Sequence, residues 1–148
     1  MAAQTTQTVQ QIITEAFVNI GVVASGRSPS STQTSTALTV LNDNMLTQMR
    51  DGWWNIGWYP QTQAQLNNAA PLWDQDVGDV KLCLSAWLAP KFGRKIEPNP
   101  DPLDESSLAN QIKNAFRRLN KRYLQRTESD LGELSRPQGG PFGGPNWL

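Results

Sequence analysis

Histidine is absent from this sequence, and cysteine occurs once, at Cys83. The first absence removes the commonest general base and the commonest metal ligand. The second leaves no internal disulfide to form and is expected of a chain of intracellular origin. No stretch approaches the roughly 18 apolar residues of a membrane span. The opening Met-Ala-Ala-Gln-Thr-Thr-Gln-Thr has neither the charged start nor the apolar run of a secretion signal. Large apolar residues are also scarce. Leu, Ile, Val and Phe supply 32 of 148 residues, only a little above the range in which chains fail to fold alone. Part of the apolar surface is therefore expected to find its partner on another subunit.

Charge balances in total, with 13 basic and 13 acidic residues, which argues against a dedicated positive coat for nucleic acid. Its distribution is uneven. Residues 1–90 carry three basic and six acidic side chains, whereas residues 91–126 carry nine basic and four acidic ones. Such polarity suits subunits whose faces carry opposite signs, and equally suits ordinary solvated faces.

Hydrophobic periodicity predicts an all-α chain, a small four-helix bundle with an aromatic extended loop or hairpin insertion and an extended C-terminal arm. Val9, Ile12, Ile13, Ala16, Phe17 and Ile20 share a stripe of a first helix over Thr6–Ile20, closed by Gly21. After a polar loop, Ser28 and Pro29 read as N-cap and first residue of a second helix, which runs to Asp51 and is stopped by Gly52. A third helix spans Asp74–Ala89. Its main stripe is Val77, Val80, Leu84, Trp87 and Leu88, and Leu82 and Ala86 lie on the opposite side, the pattern of a helix buried between neighbours. Asp101 before Pro102 reads as the start of a fourth helix, ending near Arg126. The domain so defined covers residues 1–126 and the arm residues 127–148.

Between Trp53 and Leu72 the helical period vanishes, and Trp53, Trp54, Ile56, Trp58 and Tyr59 crowd into seven residues. Three tryptophans so close together exceed what a small core readily absorbs. Trp53, Trp54, Trp58 and Tyr59 are therefore expected to project toward a neighbouring subunit or another component, since large exposed apolar patches mark interfaces.

On the fourth helix, Lys113, Arg117, Arg118, Lys121 and Arg122 fall across the half of the wheel opposite Leu108, Ile112, Ala115, Phe116, Leu119 and Tyr123. This basic face has several readings: a solvated end favoured by the helix dipole, contact with an acidic protein surface, or contact with DNA. No aromatic residues interleave with it, so a single-strand stacking platform is not expected. The carboxylates Asp74, Asp76 and Asp79, like Asp101, Asp104 and Glu105, fall where helix starts favour acids. Capping accounts for them, and neither catalysis, a cofactor nor a metal site is expected. Cys83 reads as a small buried hydrophobe.

The tail, Arg136-Pro-Gln-Gly-Gly-Pro-Phe-Gly-Gly-Pro-Asn-Trp-Leu148, can form neither helix nor packed strand. It reads as an extended arm that binds by ordering on a partner, with Phe142 and Trp147 as spaced apolar anchors.

Taken in order, several landmarks resemble the head-to-tail adaptors of tailed phages, in particular the tail accessory factors, or packaged-DNA stabilisation proteins, of short-tailed phages. They are Phe17-Val-Asn-Ile-Gly-Val closing the first helix, and Leu41-Asn-Asp-Asn-Met-Leu-Thr-Gln-Met followed by Asp51-Gly52 and the aromatic segment. They continue with Leu82-Cys-Leu-Ser-Ala-Trp-Leu-Ala-Pro and a basic last helix leading into a Pro/Gly tail. The resemblance covers residues 9–126, with the tail alike in character only. It implies a mechanical, non-enzymatic role in the virion neck after assembly in the host cytoplasm. Copies would form a ring, usually dodecameric, beneath the portal protein. The ring would extend the DNA channel, help retain the packaged DNA without reading its sequence, and present a platform for the tail nozzle or tube. The arm, through Arg136, Pro137, Phe142, Trp147 and Leu148, would reach onto the portal. No cofactor and no membrane are implied. Two rival classes are a small helical DNA-binding protein such as a terminase small subunit, marked by steep salt dependence of binding, and a lysis enzyme that turns over peptidoglycan.

Overall fold

In a computed structural model, which describes residues 3–135 and the side chains up to Tyr123, the chain folds as an all-α four-helix bundle. The helices are α1 (Val9–Asn19), α2 (Ser31–Arg50), α3 (Asp74–Leu88) and α4 (Leu108–Ser135). Single 3-10 turns occur at Gln63–Gln65 and Pro90–Phe92. The helix α3 lies at the centre and packs on all three others, as its two apolar sides predict. Leu84 and Leu88 are buried, and Leu82 and Trp87 pack partly buried against the same core. The neighbours that cover α3 are thus the chain's own helices.

Helix ends follow local chemistry, in places displaced from the expected residue. The helix α2 is capped by Ser30 rather than Ser28. Ser30 Oγ accepts from Gln33 N at 3.2 Å while Gln33 Oε1 accepts from Ser30 N at 2.9 Å. This reciprocal box satisfies two otherwise orphaned amides, which proline placement alone does not do. At its other end Trp53 N donates to Gln48 O and Gly52 N to Met49 O, with Gly52 at φ +80°, a Schellman closure in the left-handed conformation that glycine adopts without strain.

The helix α1 starts at Val9, capped by Thr8, because the residues before it are used otherwise. Residues 3–8 run extended and antiparallel to 68–74, with bridges Gln4↔Trp73 and Thr8↔Ala69. The two first amides of α1, Val9 N and Gln10 N, donate to Asn68 O and Leu66 O. The loop that carries Leu66 and Asn68 therefore completes the start of α1.

The fourth helix begins at Leu108, not beside Asp101. Asp101 Oδ1 accepts from Leu103 N at 3.0 Å, Asp104 Oδ1 accepts from Ser106 N at 3.0 Å, and Asn110 Nδ2 donates to the carbonyls of Asp101 and Asp104. Short acidic side chains compete for backbone amides in this way and hold a segment out of the helix. At its far end α4 continues to Ser135, so residues 127–135, expected in the arm, are helical. Residues 136–148, with the whole arm site of Arg136, Pro137, Phe142, Trp147 and Leu148, lie outside the described residues.

Candidate interaction surfaces

The aromatic segment corrects the expectation drawn from it. Residues 53–59 run extended and irregular, with no hairpin among the described residues, and their side chains alternate. Trp54, Ile56 and Trp58 are buried, while Trp53 and Tyr59 are 44% and 54% exposed. Trp54 closes an aromatic cluster, its ring 5.9 Å from both Trp87 and Phe116, and its Nε1 donates to Asn120 Oδ1 at 2.8 Å. Trp58 Nε1 donates to Asn42 Oδ1 at 3.2 Å. Asn42 also takes Gln61 N on Oδ1 and donates Nδ2 to Gln61 O at 2.8 Å, which clamps the segment along α2. Buried indoles require such partners for their N–H groups. Two of the three tryptophans thus belong to the chain's own core, and the outward surface retains Trp53 and Tyr59.

The basic face divides as well. Arg118 and Arg122 turn toward the start of α3. Arg118 holds Asp79 Oδ1 through Nε at 3.0 Å and Nη2 at 2.7 Å. Arg122 Nε donates to Asp76 Oδ1 at 3.0 Å and its Nη2 to Asp79 Oδ2 at 2.8 Å. Tyr123 Oη donates to the other oxygen of Asp76. Asp76 is fully buried and Asp79 nearly so, so these two carboxylates are structural ion-pair partners and not the exposed helix-start acids that sequence position suggests. Hydrogen bonding to Asp79 raises the Arg118 guanidinium pKa. For Arg122, burial opposes the charged form, but its bonds to Asp79 and Asp76 prevail and raise it too. Lys113, Arg117 and Lys121 stay exposed.

Sequence reasoning passed over Trp73 and Leu103, which are exposed large hydrophobics. Its helical spacing puts Leu46 on the buried face of α2 with Leu38, Leu41 and Met45, whereas Leu46 is exposed. Asp79 carried a signal, because it lies beyond the first turn of α3, where the dipole no longer rewards an acid.

The cleft between the end of α1 and the 94–108 segment, about 450 Å³, is lined by Asn19, Ile20, Arg94, Lys95 and Leu108 among others. Asp104 lies at its edge, and its carboxylate is held below the usual range by the Ser106 hydroxyl, then the Ser106 amide and Asn99. Both its oxygens are committed to folding the turn. Among the described residues no group of three or more His, Cys, Asp and Glu side chains is placed to hold a metal ion, and no helix is long and apolar enough to cross a membrane.

Burial, chiefly, and then the charge of Asp79 push the Cys83 thiol far above its ordinary value of 9.0, against the opposing charge of Arg118. A raised folded value means the unfolded chain ionises first. The stabilisation is therefore complete below pH ~9 and is lost as pH rises beyond it, by up to about 1.4 kcal/mol per pH unit. Urea midpoints measured at pH 8 and pH 10 are expected to fall further for the wild type than for Cys83→Ala. Equal falls would show that the thiol contributes nothing.

No protein-family model and no characterised protein matches the chain.

Proposed function

We propose that this chain is a structural subunit of a tailed bacteriophage, an adaptor that forms a ring beneath the portal protein, extends the DNA channel, helps retain packaged DNA and docks the tail. The role is mechanical and not enzymatic. The order of landmarks along the sequence supports it, as does an all-α bundle in which Asp76 and Asp79 are committed to ion pairs and Asp104 to a turn.

The observation that carries the reading is the length of α4. Its 28 residues correspond to about 42 Å at 1.5 Å per residue, against 15 residues for α3. The two helices run antiparallel, with Arg118 on Asp79 and Tyr123 on Asp76 in the first turn of α3. Residues 124–135 thus continue as helix past the start of α3, a length that supports a reach beyond the bundle toward a second protein. Trp53 and Tyr59 offer aromatic surface for a neighbouring copy or a tail component.

The purified chain is expected to sediment as a monomer or small oligomer, because its core closes on itself, and to enter a ring only with portal present. Velocity sedimentation of the chain alone and with portal checks this. A stable ring without portal would contradict staged assembly, and no association with portal would contradict the adaptor reading itself.

A further inference from the structure

The segment Leu108–Thr127 contains six basic residues and no acidic one. Surface helices ordinarily set opposite charges three or four residues apart, and like charges at that spacing destabilise the helix. Here the acids come from α3, and they reach only Arg118 and Arg122. Lys113, Arg117 and Lys121 follow one another at intervals of four, all exposed, and none forms an ion pair among the described residues. They make a stripe about 12 Å long, a length over which duplex DNA carries about seven phosphate charges.

We infer that Lys113, Arg117 and Lys121 form a sequence-independent contact with the phosphate backbone of duplex DNA. This rests on the adaptor reading only in naming the DNA as that passing through the channel. The surroundings separate DNA from an acidic protein as the partner. Interface cores between proteins are enriched in aromatic residues and depleted of charge, yet among the described residues the exposed large hydrophobics Leu46, Trp53, Tyr59, Trp73 and Leu103 all lie off α4. The uncharged polar neighbours in the stripe's sequence are amides, Gln111, Asn114 and Asn120, a side-chain type that with Lys and Arg supplies backbone contacts to DNA, although Asn120 Oδ1 is taken by Trp54. The stripe itself carries no aromatic side chain to read or stack a base. Three contacts per chain give a weak grip that is multiplied in a ring and still lets the duplex slide.

The test measures binding of the full chain to a fluorescein-labelled random-sequence duplex by anisotropy, as a function of salt. At about −0.9 per neutralised phosphate, the logarithm of the binding constant should fall against the logarithm of salt with a slope near −2.7. That slope is about a 40-fold loss between 50 and 200 mM salt. Replacing any one of the three with glutamine should reduce the slope to about −1.8, and K113Q/R117Q/K121Q should abolish binding while the thermal melt is retained. Lys91→Gln with Arg94→Gln, exposed cations off the stripe, should leave the slope unchanged. Absence of binding at 50 mM salt, an undiminished slope in the triple variant, or preference for one DNA sequence would each overturn the inference. Sedimentation with portal reports on the adaptor reading independently of all three.

Discussion

Arg122→Ala is expected to lower the unfolding free energy by about 3–5 kcal/mol, the usual effect of removing one partner from a buried ion pair. Asp76 has no exposure and Asp79 6%, and Arg122 is the cation that contacts both. Without it Asp76 keeps the Tyr123 hydroxyl but loses its guanidinium, and a buried anion lacking its cation is far costlier than a lost surface pair. Arg118→Ala should cost less, because that side chain is half exposed and its pair is screened by water. Lys113→Ala or Arg117→Ala should stay within about 0.5 kcal/mol, as surface changes do. Urea unfolding of the four variants ranks them. A loss for Arg122→Ala no larger than for Lys113→Ala would contradict the assignment of a structural pair.

The second large effect concerns the arm. Deleting residues 136–148 should leave the melt nearly unchanged, because a Pro/Gly-rich segment supplies no periodic apolar face and the core of the described residues closes between Val9 and Tyr123. The same deletion should sharply weaken attachment to the portal. Burial of each anchor, Phe142 and Trp147, contributes about 1.5–3 kcal/mol, offset in part by ordering a glycine-rich chain. Each lost anchor therefore corresponds to roughly a tenfold or greater loss of affinity. Replacing both with alanine should yield DNA-filled heads that fail to gain tails. Wild-type affinity of the truncated chain for portal would move the attachment elsewhere, to the outward cations of α4 or to Trp53 and Tyr59.

Much of the fold was legible because periodicity and glycine stops are local signals. The stripe of α1 and the caps at Gly21 and Gly52 fall where the residues place them. What was not legible depends on partners distant in sequence. Asp76 and Asp79 look like helix-start acids until Arg118 and Arg122 are seen beside them, some 40 residues away. Trp54 and Trp58 look like surplus aromatics until Asn120 and Asn42 supply acceptors for their indoles. A local clue existed, since Trp54, Ile56 and Trp58 alternate with Trp53, Asn55, Gly57 and Tyr59, the period of an extended segment with one face buried. The start of α4 was misplaced because Asp101 and Pro102 satisfy a helix-start pattern that Asp101 itself defeats by binding Leu103 N. In the basic face, composition gave the cations, and only packing divides them into a structural pair and an outward stripe.

Electron microscopy of the purified chain mixed with portal tests the adaptor role most directly. The account predicts a closed ring of chain copies coaxial with the portal, its central channel continuous with the portal's and each arm lying on the portal surface. Portal rings that remain bare at saturating chain concentration would contradict it.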